Sequence, residues 1–451
     1  MWGAFIEIKK RDGNSRMSEY KRLKEDFVTG LNGTSVEEII LFFILAQVVQ
    51  WAAMVATALL HWQNKTTKKR FFLEFVLIVL PILTGVTFTE YTTMIIATCV
   101  LFLFISVSVA SFPKYRAPPS PAIASLRSLL LLVTAIAILA VDFKIYPRRF
   151  AKTENYGTGL MDIGVGGFIV SNGIQTKTVS TLLDIVVRSM PLVLLGLAKL
   201  ALHKGIDYQE HTSEYGVHWN FFFSLCAVPI IVNVVSRIGP FTPFMFGLYA
   251  GLGYQYALSF AGLEDWVMHA PRTTLISQNK EGIASSFGFV SLFFFSQWMG
   301  TNSKKILTPK QLGYNVFLTT TLFALVFYFQ NYSPLISRRL ANFPYAIWVL
   351  GHCQLLITLN LSWDFIAKYF NKDIAQTPVL MQALNRNQLF IFIVSNVLTG
   401  ICNQSLNTLT ASTEQSIAIL AVYILVITSI AYLLMANHIN LSPGTLLKRI
   451  Y

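Results

Sequence analysis

The sequence predicts an all-α fold, a polytopic integral membrane protein with about 13 transmembrane helices in one bundle. Of the 451 residues 54% are hydrophobic and only 13% are charged, against about 25% charged in an average soluble domain. Mean hydropathy is +0.55. Apolar runs of about 20 residues, long enough to cross a hydrocarbon core, recur along the chain. Such a chain is organised by the bilayer, where every backbone polar group must be satisfied internally.

Taken in order, the runs place spans at 36–62, 71–89, 91–112, 127–146, 157–173, 183–203, 217–236, 240–261, 282–300, 312–330, 343–361, 387–405 and 415–435. The fifth, GTGLMDIGVGGFIVSNG, is short and rich in glycine, so both a crossing and a re-entrant turn stay open. Residues 1–35 form a polar N-terminal segment without the apolar core of a signal peptide, and 1–16 are expected to be disordered ahead of Met17. Residues 36–435 make the transmembrane domain and 436–451 the tail. No internal repeat is visible, which gives an inverted-repeat transporter design no support. Cys99, Cys226, Cys353 and Cys402 lie in apolar stretches without metal-ligand spacing and read as buried structural thiols.

The formal net charge of +13 points to membrane surfaces rather than nucleic acid, because the basic residues sit in short loops beside apolar spans and no nucleic-acid-reading module is present. With 13 spans the loops after odd-numbered helices share a side, and that side holds about 17 Lys or Arg against about 9 opposite. This places the odd loops and the C-terminus in the cytosol. The seven basic residues of the N-terminal segment argue the other way. The loops after helices 4, 6, 8 and 10 then share the lumenal side and carry most of the unusual polar residues.

The loop after helix 4 follows the apolar run into Asp142 and then gathers Lys144, Arg148, Arg149, Lys152 and Glu154. An ionisable residue at a membrane boundary is a functional candidate by default. Desolvation raises a carboxylate's pKa and a nearby cation lowers it, a balance that can poise Asp142 as a general base. Arg148 and Arg149 suit bidentate recognition of a phosphodiester. An ordinary anchor, with Asp142 paired to Lys152 and the arginines snorkelling to head groups, is equally consistent with these residues.

After helix 6, Glu210, His211, Glu214, His218 and Asn220 crowd one stretch. A helix would bring His211, Glu214 and His218 to one face. That face could bind a metal or supply a base, but without HExxH spacing a hydrogen-bonded network is the better reading and no metal site is assigned. After helix 8, Asn279 and Lys280 precede a helix start that could accept a phosphate or a carbonyl oxygen, though capping would also account for it. After helix 10, Arg338, Arg339 and Asn342 are weaker candidates for phosphate contacts. The aromatic runs 221–223 and 293–295 read as lipid-facing or packing surface, and the run NRNQLF as the cap of helix 12.

Longer runs are more specific: KEDFVTGLNGTS (24–35), TAIAILAVDF (134–143), YPRRFAKTENYGTGLMDIGVGGF (146–168), YQEHTSEYGVHWNFFF (208–223), NKEGI (279–283), SRRLAN (337–342) and ALNRNQLF (383–390). At these the chain resembles the glucosaminyl-phosphatidylinositol (GlcN-PI) inositol acyltransferases of GPI-anchor biosynthesis, represented in animals by PIG-W, and looks like a fungal member. The resemblance covers nearly the whole chain. It implies a multi-pass enzyme of the endoplasmic reticulum membrane that moves a fatty acyl group, typically palmitoyl, from acyl-CoA to the inositol ring of GlcN-PI. Acyl-CoA would be a co-substrate and no cofactor is implied.

The family's proposed reaction centre falls on Asp142 and Lys152. Lys144 departs from relatives, which often carry proline there. Asp142 would take the proton of the inositol 2-hydroxyl as it attacks the thioester, and Lys152 would stabilise the oxyanion or hold a phosphate. His218 and His211 are reserve bases. Glu210, Glu214, Asn220, Arg148, Arg149, Asn279, Lys280, Arg338, Arg339 and Asn342 are the substrate-binding candidates. Two rival readings are a lipid transporter or scramblase and a membrane-bound O-acyltransferase of another family.

Overall fold

The computed structural model describes residues 24, 26, 27, 29–62, 66–109, 121–176, 181–203, 212–239, 241–303, 308–370, 374 and 377–441. A helix occupies each of the thirteen apolar stretches: α1 Val36–Leu59, α2 Lys68–Thr87, α3 Thr92–Val109, α4 Pro121–Ala140, α5 Ile163–Gln175, α6 Leu182–His203, α7 Phe221–Val235, α8 Pro243–Phe260, α9 Lys280–Ser303, α10 Pro309–Asn331, α11 Phe343–Tyr369, α12 Gln388–Ser405 and α13 Thr413–Ala436. Among the described residues, eight helices are both long and apolar enough to cross a membrane: α1 to α4, α9 to α11 and α13, with bounds differing by a few residues. The fifth stretch makes a helix of 13 residues, about 20 Å long and short of the roughly 30 Å hydrocarbon thickness. It is packed inside the protein against α4, α9 and α11.

Burial sorts the helices. The apolar windows of α4, α9 and α11 are 78–83% buried, whereas those of α3 and α10 are 17% and 28%. Leu101, Phe104 and Phe317 accordingly stand on the outside. Buried amides join α11 to its neighbours. Gln47 of α1 and Asn360 of α11 exchange two side-chain hydrogen bonds at 2.9 and 3.2 Å, and Gln354 of α11 donates to Asn315 of α10 at 2.9 Å. Such pairs contribute modestly in lipid but fix rotation and register.

Local irregularities have local causes. In α2 the segment Phe75–Val79 is π-helical, just ahead of Pro81, whose missing N–H and ring cannot follow regular α geometry. Arg70 and Glu74 form a buried ion pair at 2.7 Å, and Glu74 also accepts the Leu380 backbone N–H at 2.8 Å. Gly288 lets α9 press against the start of α11, since a Cβ there would lie 1.7 Å from the Ala341 carbonyl oxygen.

Three sequence expectations change. Asp142 is not the end of a helix: α4 stops at Ala140 and Asp142 lies in the following turn. Glu214 and His218 do not share a helical face. The helix there is a single turn, Thr212–Tyr215, because Gly216 takes φ +106°, a conformation that ends a helix; His211 and Glu210 lie outside the described residues. Asn387 makes no side-chain cap on α12. It instead holds the following tail, donating to Ile439 and accepting from Leu441.

Candidate active site

The four loops after α4, α6, α8 and α10 meet at one end of the bundle, and the segment ahead of α1 joins them. Thr34 N–H donates to the Thr158 carbonyl at 2.7 Å and Glu154 N–H to that of Leu31 at 3.0 Å, so residues 31–34 lie along the loop after α4. From the loop after α10, Ser337 donates to the Asn155 carbonyl at 2.6 Å, and Gly157 N–H donates to the Ile336 carbonyl at 2.9 Å. Backbone partners of this kind leave the loops little freedom, which a preorganised site requires.

Charge then ties the loops together in two chains. In the first, Lys152 pairs with Glu214 at 2.8 Å, Glu214 with Arg338 at 3.2 Å, and Arg338 with Asp162 at 2.9 Å. Asp162 is fully buried and also accepts from Thr153 N, Thr153 Oγ1 and Gly159 N. Burial pushes its pKa up to about 6 against the opposing pull of Arg338 and these donors. Burial acts in the same direction on Glu214, but Lys152 and Arg338 outweigh it and hold that carboxyl down to about 2. In the second chain, Arg272 forks onto the buried Glu281 at 2.6 and 3.0 Å, and Arg339 joins Glu281 at 3.0 Å and Asn155 at 2.8 Å.

Lys152, Lys199, Glu214 and Arg338 face a recess of about 210 Å³. Apart from Thr134, Tyr215 and Asn396 its other walls are apolar: residues between Leu130 and Ile138 of α4, Phe168 of α5, Phe221 and Phe222 of α7 and Phe392 of α12. The α4 wall runs about 12 Å along the helix. Phe221 and Phe222 line the recess and pack against Phe168 and Phe392, the helix-packing role expected of that run, and Phe293 to Phe295 are buried packing residues as well. With Arg338 neutralised by Asp162, Lys152 and Lys199 set against Glu214 at the head of a largely apolar slot fit an amphiphile with an anionic or carbonyl-bearing head.

Asp142 belongs to a neighbouring cluster. The α4 face that lines the recess ends at Ile138, one turn before it. Asn403 of α12 donates to Asp142 Oδ2 at 2.7 Å and accepts from Lys24 at 3.2 Å. Burial raises the pKa of Asp142, while Asn403, Lys24 and Arg148 favour its charged form. The anchor reading with Asp142 paired to Lys152 does not hold, because Lys152 is engaged by Glu214.

Most other candidates serve internal ties. Arg148 donates to the Phe143 and Tyr146 carbonyls, satisfying the turn that holds Asp142, and stacks 3.9 Å over the Phe27 ring. Arg149 grips Glu38 through two nitrogens and reaches Thr89. Asn220 caps α7 and donates to the Gly196 carbonyl. Asn279 accepts the His218 backbone N–H at 2.8 Å, and the His218 side chain is exposed. Lys280 is buried and donates to the Ala270 carbonyl at 2.6 Å, so the start of α9 is not an open phosphate cradle. Asn342 caps α11.

Sequence reading missed Asp162, Lys199, Asn403 and Lys24. An acid inside a glycine-rich apolar run was the available signal for Asp162. Asn403 and Lys24 carry no such mark, since their importance comes from contacts with distant positions.

Comparison with known proteins finds matches over most of the chain. The GWT1 family model matches residues 20–434. GPI-anchored wall transfer protein 1 of Gibberella zeae is 32% identical over 94% of this chain and 99% of its own length. The Candida albicans protein of the same name is 32% identical over 92% of this chain and 97% of its own. Glucosaminyl-phosphatidylinositol-acyltransferase PIGW of Bos taurus is 32% identical over 92% and 97%.

Proposed function

The chain belongs to the GWT1 family, an acyltransferase family of GPI-anchor biosynthesis, and we propose that it transfers a palmitoyl group from acyl-CoA to the inositol 2-hydroxyl of GlcN-PI. The observation that carries this is the recess itself. Its apolar slot suits a fatty acyl chain, and Lys152 and Lys199 at its head suit a thioester oxygen or a lipid phosphate.

Asp142 accepts the proton of the inositol 2-hydroxyl as that oxygen attacks the thioester carbonyl carbon. The tetrahedral oxyanion forms against Lys152. Its collapse breaks the C–S bond, and the CoA thiolate leaves to take up the proton, giving 2-O-acyl inositol and CoA. Burial keeps Asp142 more basic than an ordinary carboxylate, as a general base requires. The buried second charge chain keeps the loops in register around these groups. The reading also sets the enzyme in the endoplasmic reticulum membrane with the motif loops lumenal and the C-terminus cytosolic.

Purified protein in nanodiscs is incubated with radiolabelled palmitoyl-CoA and GlcN-PI. The expected product is inositol-acylated GlcN-PI, absent with Asp142→Asn or Lys152→Ala although both variants fold. Lipid movement without consumption of acyl-CoA would replace this reading with a transporter, and near-normal transfer by either variant would overturn the residue roles.

A further inference from the structure

A second cavity, of about 220 Å³, opens between α5, α6, α7 and α9. It lies at the other end of the helices that build the reaction recess. On α6, Arg188 faces the cavity and Lys199 the recess, three helical turns or about 16 Å apart. On α7 the same interval separates Asn233 from Phe222.

The lining combines three kinds of group: the Arg188 guanidinium, the side-chain amides of Asn172, Asn233 and Gln297, and apolar walls such as Leu192. Gln297 is only 5% exposed, and its Oε1 is buried without a hydrogen-bond partner. A buried acceptor left unsatisfied costs about 1–3 kcal/mol, so a ligand N–H in the cavity would be favoured. Pro229 also lines the cavity and removes the N–H that would bond the Leu225 carbonyl within α7. The two facing helices α6 and α7 each contain a proline, Pro191 and Pro229.

We propose that this cavity binds the phosphopantetheine arm of the acyl-CoA, approached from the end of the bundle opposite the motif loops. The arm is a phosphate ester followed by two secondary amides in series and then the thioester. Arg188 matches the phosphate, Gln297 Oε1 an amide N–H, and Asn172 or Asn233 an amide carbonyl. The arm would then pass between α5, α6 and α7 to bring the thioester to Lys152. The inference rests on acyl-CoA being the donor, and it gives the donor and the inositol lipid separate approaches.

Steady-state kinetics of the full chain in nanodiscs test it with Arg188→Gln, Arg188→Lys and Gln297→Leu. Arg188→Gln is expected to raise KM for palmitoyl-CoA about tenfold or more, with kcat and KM for GlcN-PI within about twofold. Gln297→Leu should act in the same direction, and Arg188→Lys should recover part of the loss. Free CoA as a competitive inhibitor should weaken by the same factor. An unchanged KM for palmitoyl-CoA in both Arg188→Gln and Gln297→Leu overturns the proposal, as does a uniform fall in kcat with both substrates. An altered dependence on anionic phospholipid in the nanodisc, with KM for palmitoyl-CoA unmoved, assigns the cavity to a lipid phosphate instead. If wild-type protein transfers no acyl group, the function has failed first. Direct binding of free CoA, lost in Arg188→Gln or indifferent to it, then decides the cavity separately.

Discussion

Asn403 is the hinge between Asp142 and Lys24: its amide nitrogen donates to the Asp142 carboxylate at 2.7 Å and its oxygen accepts from Lys24 at 3.2 Å. A helix near the C-terminus and a segment ahead of α1 thereby hold the candidate base from two sides. Burial pushes Asp142 up, and both partners, with Arg148, pull it down. Removing Asn403 or Lys24 should therefore raise the pKa of Asp142 further. Asn403→Ala and Lys24→Met are expected to move the acidic limb of the kcat/KM profile to higher pH, with activity recovering as the pH rises. A second carboxylate in Asn403→Asp should move it more. A limb that stays in place in all three would mean that Asp142 is not the titrating base.

Glu214 holds Lys152 in the recess, and its carboxyl is kept down to about 2 from an ordinary 4.5. A carboxylate with a depressed folded pKa adds stability that is fully present above its unfolded value and lost as the pH falls toward the folded one. Wild type should therefore outlast Glu214→Gln in thermal melts above about pH 4.5. The gap should close as the pH approaches about 2. The same variant frees Lys152 from its partner and should lower acyl transfer at neutral pH.

Arg338 is 7% exposed and neutralises the fully buried Asp162. Truncating one partner of a buried pair leaves an uncompensated charge and costs about 3–5 kcal/mol. Arg338→Met should lower the melting temperature sharply, and adding Asp162→Asn should return part of the loss. Equal melting of the single and double variants would show that the pair is not coupled.

Gly288 and Gly253 offer a packing contrast. A methyl group at Gly288 would meet the Ala341 carbonyl at 1.7 Å, whereas one at Gly253 meets nothing within 4 Å. Gly288→Ala should destabilise the protein and separate α9 from the α10–α11 loop. Gly253→Ala, on an exposed face of α8, should be neutral or stabilise by up to about 1 kcal/mol through helix propensity. Thermal unfolding of the two variants side by side checks this.

The helical stretches were legible because the period and length of an apolar run are local properties, and a run of about 20 residues has one economical fate in lipid. The convergence of the loops after helices 4, 6, 8 and 10 also followed from the chain alone, since alternate loops of a multi-pass bundle share a face. Helix ends were less legible. Asp142 falls past the end of α4 because Arg148 satisfies the carbonyls of a turn there, and Gly216 cuts short the helix that would have aligned His218 with Glu214.

The sequence by itself determined that the charges near Asp142 and Lys152 sit at a membrane boundary, because the neighbouring apolar run leaves them nowhere else to go. Only the tertiary structure decided which charge meets which. Lys152 goes to Glu214, Asp142 to Asn403, and Arg338 to both Glu214 and Asp162. Ion pairing depends on distances of a few ångströms between loops far apart in the chain. Those distances are set by how the helices pack, and helix packing leaves no mark on the local residue pattern.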